Sequence, residues 1–133
     1  MENTESRRVR RLTWVEYGEY LSRFCELVKS YQEDSIHFEA VSGIPRGGVP
    51  IAVSVSHYFD IDYRDPVYHV FHTPTLLVDD ICDTGSMMKG TQNWGDASLV
   101  VRGTLFVRER TQDLVQIFVE VTDDWVIFPY EAQ

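Results

Sequence analysis

Between residues 17 and 31 the apolar side chains of Tyr17, Tyr20, Leu21, Phe24, Leu27, Val28 and Tyr31 recur three and four positions apart, with Glu19, Arg23, Glu26 and Ser30 between them. That spacing predicts an amphipathic helix with one buried stripe and one solvated face. Its start is marked by Thr13-Trp-Val-Glu16, a capping box in which the Thr13 hydroxyl and the Glu16 carboxylate each satisfy an N–H that has no partner inside the helix. After the polar break Gln32-Glu-Asp-Ser35 the pattern shortens. His37–Val41 reads as a first strand, and Ile51–Phe59 as a helix with Pro50 in its first turn, where a missing N–H is tolerated. Val67–Phe71 and Thr75–Val78 read as strands on either side of a turn at His72–Pro74, and Ser86 to about Gln92 as a helix. Ser98–Val107 and Val115–Val121, rich in Val, Leu, Ile and Phe, read as further strands. Strands alternating with helices predict an α/β fold with a mostly parallel central sheet flanked by helices.

Length and composition narrow the picture. A chain of 133 residues that is 44% hydrophobic and 13% aromatic supports one compact domain over residues 1–133. Its net charge of -9 argues against a surface built to neutralise nucleic-acid phosphates, so no nucleic-acid partner is expected. The basic leader within residues 1–12, with Arg7, Arg8, Arg10 and Arg11, reads as a solvated segment or one tucked against the acidic body. Two cysteines, Cys25 and Cys82, make neither a disulfide framework nor a zinc pattern. No stretch has the length of a transmembrane helix or the apolar run of a signal peptide, and a cytoplasmic protein without a membrane partner is expected.

Two loops stand apart. Gly43–Gly48 and Ile81–Ser86 both follow a predicted strand and open into a predicted helix, the place where open α/β sheets bind ligands. Glycine lets the backbone approach an anion, and N–H groups at a helix start supply donors. A P-loop is excluded, because Val49 and Pro50 stand where its Lys and Ser/Thr should follow. Asp80 and Asp83 are one residue too far apart for the Asp-x-Asp pair of the haloacid dehalogenase type, and Leu76-Leu-Val-Asp-Asp80 begins too late in the chain for a response-regulator receiver.

Thr75–Lys89, an apolar strand, two acids, two variable residues and then Asp-Thr-Gly, resembles the ribose-phosphate motif of the type I phosphoribosyltransferases. Val41-Ser-Gly-Ile-Pro-Arg-Gly-Gly48 is similar to that family's pyrophosphate loop. Asp123-Asp-Trp-Val-Ile-Phe-Pro-Tyr-Glu131 resembles the ending of its xanthine-guanine and hypoxanthine branch, and Leu12-Thr-Trp14 the beginning. The three motifs fall in the family's order and cover nearly the whole chain.

The resemblance implies a phosphoribosyltransferase fold with a small hood formed by the N-terminal segment and residues 122–133, and an enzyme that uses phosphoribosyl pyrophosphate. It implies transfer of the 5-phosphoribosyl group to N9 of guanine, xanthine or hypoxanthine, with pyrophosphate and the nucleotide as products. Asp79 and Asp80 are then expected to hold the ribose hydroxyls and Mg²⁺, a hard cation suited to oxygen ligands. Asp83, Thr84, Gly85 and Ser86 are expected to cradle the 5'-phosphate, and Arg46, Gly47 and Gly48 the pyrophosphate, with Pro45–Arg46 the counterpart of a cis peptide frequent in the family. Asp83 matches the acid that manages the N7 proton of a 6-oxopurine. Trp125 is expected to stack on the base, the backbone of Val126 and Ile127 to read its edge, and Arg108 to stand where the family places a lysine facing the 6-oxo group. The family's habit implies a homodimer or homotetramer.

The chain also departs from the pattern. Arg108 replaces a point charge with a planar fork, Met87 replaces a second phosphate-loop hydroxyl, Pro45 replaces a more usual serine, and a short Phe59–Thr75 segment implies a reduced lid. A pyrimidine phosphoribosyltransferase and a non-catalytic ligand-binding regulator on the same fold are the competing expectations.

Overall fold

The computed structural model describes residues 7–66, 72–91 and 98–131; the strand expected at 67–71 and the end of the helix expected to reach Gln92 lie outside them. A short strand β1 (Val9–Arg11) leads into α1 (Trp14–Asp34). The capping box forms as its residues dictate: Glu16 N–H donates to Thr13 Oγ1 at 3.1 Å, and Thr13 N–H donates to Glu16 Oε1 at 2.9 Å. The buried face of α1 is Tyr17, Phe24, Cys25 and Val28, whereas Leu27, expected inside, is 41% exposed. Cys25 and Leu27 flank the stripe on opposite sides, and the helix leans onto the Cys25 side.

The main sheet is built from β2 (Ala40–Gly43), β3 (Asp62–Tyr63), β4 (Thr75–Cys82), β5 (Val100–Val107) and β6 (Ile117–Val121), all parallel in the order β3-β2-β4-β5-β6. Helix α2 (Gly48–Phe59) follows β2, α3 (Ser86–Gly90) follows β4, and a short 3-10 helix (Glu109–Leu114) joins β5 to β6. Strand β2 starts later than His37 because its approach is tied elsewhere. Phe38 N–H donates to Gln32 Oε1 at 2.9 Å, and Glu39 N–H to Pro74 O at 2.8 Å. Strand β4 runs on past Val78, so the two acids lie within the strand and not beyond its end.

In the centre of the sheet, Thr75 of β4 is in register with Ala40 on one side and Val100 on the other. A parallel strand covered on both faces is apolar on both, which accounts for the Leu76-Leu-Val78 run. Leu76 and Val78 join the core under α1 and α2, while Leu77 packs with Met88 of α3. Side chains alternate along a strand, so Asp80 falls on the α1 and α2 side and Asp79 on the α3 side. From β2 the chain passes to β3 on one flank and later to β4 on the other. The crevice at the carboxyl ends of β2 and β4 is therefore the switch point at which α/β sheets take their ligands.

The hood is a second, two-stranded parallel sheet of β1 and β7 (Trp125–Ile127), with Val9 opposite Trp125 and Arg11 opposite Ile127. Part of the basic leader is thus a strand held to the acidic body. Arg8 Nη2 lies 2.6 Å from Asp124 Oδ2, Arg10 Nη2 lies 2.6 Å from Glu120 Oε2, and Arg10 Nε lies 3.0 Å from Asp124 Oδ2. Among the described residues no helix is long and apolar enough to cross a membrane.

Candidate active site

Three cavities meet at the carboxyl edge of the sheet. The first, about 540 Å³, is lined by Arg46, Gly47, Asp80, Tyr130 and Glu131. Its floor is the loop after β2, anchored where Ile44 N–H donates to Val78 O at 2.8 Å and Gly48 N–H to Ile44 O at 2.9 Å. The Pro45–Arg46 peptide is cis, and the Arg46 side chain is exposed at the mouth. Gly47 is required by close approach: a Cβ there would overlap the Asp80 carboxylate.

The second cavity, about 90 Å³, lies under the turn after β4, between Asp79, Asp83, Thr84, Gly85 and Met88. Gly85 sits at φ 86°, in the left-handed region that favours glycine. Thr84 Oγ1 accepts the Ser86 N–H at 3.3 Å and lies 3.1 Å from Ser86 Oγ, so the two hydroxyls face one another across the turn. The Met87 side chain is outside the described part of the molecule.

The third cavity, about 180 Å³, joins Asp83 and Arg108 to Trp125, Val126, Phe128 and Glu131; it shares Asp80 with the first cavity and Ile81 and Asp83 with the second. Trp125 is 46% exposed at its rim. Trp125 N–H donates to Arg8 O at 2.8 Å, and Ile127 O accepts from Leu12 N–H at 3.0 Å. In a strand those alternate residues point their peptide groups toward β1, which turns the N–H and C=O of Val126 the other way. Val126 therefore lines the cavity with its peptide groups turned away from β1, whereas Ile127 spends its carbonyl on the hood and does not line the cavity.

Arg108 is only 2% exposed. Its Nε–H donates to Asp83 Oδ1 at 2.9 Å, and Nη1 donates to Thr122 O at 2.8 Å and Asp124 O at 2.7 Å. The guanidinium thus ties the acid after β4 to the start of the hood. Arg7 Nη1 and Arg110 Nη2 stand farther from the same oxygen, at 3.9 and 3.7 Å.

The acid pair is electrostatically unlike an ordinary surface pair. Burial, and then the charge of Asp80, pushes the Asp79 carboxyl up to about 8. Asp79 Oδ1 accepts the Asp80 N–H and Asp80 Oδ1 accepts the Ile81 N–H, both at 2.8 Å. Among the described residues there is no cluster of three or more His, Cys, Asp or Glu that could hold a metal. Asp80 at the open cavity, with Asp79 next to it under the turn after β4, nevertheless suits Mg²⁺, which keeps most of its water and takes one or two protein carboxylates together with substrate phosphates.

Tyr17, Tyr130, Glu131 and Phe128 belong to this region without having been singled out in the sequence as site residues. Tyr130 hydroxyl donates to Asp80 Oδ2 at 2.8 Å, and Phe128 N–H donates to Glu131 Oε1 at 3.2 Å. Tyr17 was legible only as an apolar position of α1. Its buried hydroxyl has no hydrogen-bond partner among the described residues, and burial, with a smaller contribution from Asp80, raises it to about 12.

No protein-family model matches the chain, and no curated protein matches it by sequence. Solved structures do match. A purine phosphoribosyltransferase from Pyrococcus horikoshii superposes with a TM-score of 0.78 at 21% identity, covering 93% of this chain and 94% of its own. The xanthine-guanine-hypoxanthine phosphoribosyltransferase of Helicobacter pylori gives 0.74 at 17% identity over 91% and 92%. A hypothetical protein from Neisseria gonorrhoeae with bound ppGpp gives 0.72 at 14% identity over 95% and 90%. With this strand order, hood and likeness, the chain carries the type I phosphoribosyltransferase fold.

Proposed function

We propose that the protein is a 6-oxopurine phosphoribosyltransferase, moving the 5-phosphoribosyl group of phosphoribosyl pyrophosphate to N9 of guanine, xanthine or hypoxanthine. The observation that carries this is the meeting of Asp83, Trp125 and Val126 in one cavity that shares Asp80 with the cavity at Arg46. The base stacks on Trp125, and the Val126 peptide reads its edge. Asp83 accepts the N7 proton as N9 bonds to C1' of the ribose, a role usually contributing roughly 10² to 10⁴ in rate. The bond from C1' to the pyrophosphate oxygen breaks, and the charge left on that oxygen is met by Arg46 and the Gly47 amide; the Gly48 N–H, expected beside them, is spent on Ile44 O.

Asp79 and Asp80 hold the ribose hydroxyls, and the turn Asp83–Ser86 holds the 5'-phosphate. The same acid pair is the place for Mg²⁺, which when bound offsets the negative charge of the pyrophosphate. With Arg108 bonded to Asp83 and two carbonyls, its contribution is to fix Asp83 in the wall of the base cavity. The purine specificities of the Pyrococcus and Helicobacter proteins support the choice of base.

The test is nucleotide formation from phosphoribosyl pyrophosphate and Mg²⁺ with guanine, xanthine, hypoxanthine, adenine and uracil in turn. Product from the 6-oxopurines alone is expected. Product from uracil or adenine instead would reassign the base, and no product with any base would leave a binding protein.

A further inference from the structure

Asp80 lines the largest of the three cavities, and each of its carboxylate oxygens already accepts a hydrogen bond. Asp80 Oδ1 accepts the Ile81 N–H at 2.8 Å, and Oδ2 accepts the hydroxyl of Tyr130, itself a cavity-lining residue, at 2.8 Å. Tyr130 has a second acceptor within reach, Gly47 O at 3.3 Å, but a phenol has one proton and an ionised carboxylate is the stronger acceptor. An O–H donated to Oδ2 is also the bond that a sugar hydroxyl would make there.

We propose that Tyr130 is a built-in competitor for the sugar site: its hydroxyl stands in for a ribose hydroxyl on Asp80, and donor substrate binds by displacing it. This rests on the assignment of Asp79 and Asp80 to the ribose diol. The ring stacks on Phe128, with centroids 5.5 Å apart and planes 13° from parallel, which places its hydroxyl at Asp80. Glu131 closes that turn, its N–H donating to Phe128 O at 3.0 Å and its carboxylate accepting from Phe128 N–H.

A second observation points the same way. The Tyr17 ring meets the Tyr130 ring edge-on at 5.6 Å, and the buried Tyr17 hydroxyl has no hydrogen-bond partner among the described residues. Buried hydroxyls are rarely left so. On this proposal the phenol displaced from Asp80 turns toward Tyr17, whose ring is already in contact with its own.

The experiment is calorimetric titration of phosphoribosyl pyrophosphate with Mg²⁺ into wild type and Tyr130→Phe, with inorganic pyrophosphate and Mg²⁺ as the probe that lacks ribose hydroxyls. The Phe variant keeps the ring stack and loses only the competing hydroxyl. Removing one such hydrogen bond should tighten phosphoribosyl pyrophosphate roughly 3- to 10-fold and leave pyrophosphate unchanged. Equal or weaker binding of phosphoribosyl pyrophosphate by the variant would overturn the proposal, as would equal tightening of both probes. Binding of phosphoribosyl pyrophosphate by neither protein would instead remove the phosphoribosyltransferase assignment on which the proposal stands.

Discussion

Arg108 holds Asp83 from a position almost closed to water, with 2.9 Å between Arg108 Nε and Asp83 Oδ1. The same guanidinium carries Thr122 O and Asp124 O. A lysine ammonium is a compact point charge and cannot serve three acceptors spread around a planar fork. Arg108→Lys should therefore lose on the order of 1 kcal/mol of unfolding free energy, because at least one part-buried acceptor loses its partner. Urea denaturation measures it; a variant as stable as wild type would show that the fork carries no structural load.

Asp79 makes a prediction in the opposite direction. Its carboxyl is raised from 3.8 to about 8 by burial and by Asp80. Between those values the folded chain binds a proton that the unfolded chain has released, so stability falls with rising pH. The contribution is complete below the lower value, declines between the two, and is fully lost above about 8. In metal-free buffer at pH 9, Asp79→Asn should melt above wild type, by about 4 °C for each 1 kcal/mol recovered. The gap should close toward pH 4. A variant that melts below wild type at pH 9 would contradict this.

The contact of Gly47 with Asp80 is close enough that even a methyl group has no room. Gly47→Ala must push the loop after β2 or the Asp80 carboxylate aside, and both belong to the proposed donor site. Affinity for phosphoribosyl pyrophosphate with Mg²⁺ is expected to fall at least about tenfold, equivalent to about 1.4 kcal/mol, while far-UV circular dichroism stays that of wild type. Affinity within about twofold of wild type would detach this loop from donor binding.

What the sequence disclosed depends on how local each feature is. The capping box of Thr13 and Glu16 and the apolar run into β4 are written in adjacent residues, and both stand in the structure where the residues put them. Strands β1 and β7 are three residues each and exist only by pairing across most of the chain, so no local periodicity announces them. Leu27 and Cys25 exchange places because a helix stripe has two edges, and only the packing partner decides which edge is buried. The motifs pointed to Asp79, Asp80, Asp83, Gly47 and Gly85, which line the cavities at the sheet edge, but not to the Arg108–Asp83 pair or the Tyr130 contact. Those depend on where β5 and the C-terminal turn end in space, 25 and 50 positions away along the chain.

The most direct measurement is kcat/KM for guanine, xanthine and hypoxanthine with phosphoribosyl pyrophosphate and Mg²⁺, in wild type and in Asp83→Asn. Asparagine keeps an oxygen for Arg108 but cannot take the N7 proton. The account predicts turnover of at least one 6-oxopurine by wild type, reduced roughly 10² to 10⁴-fold in the variant. Turnover unchanged by Asp83→Asn, or absent from a folded wild-type protein with all three bases, would contradict it.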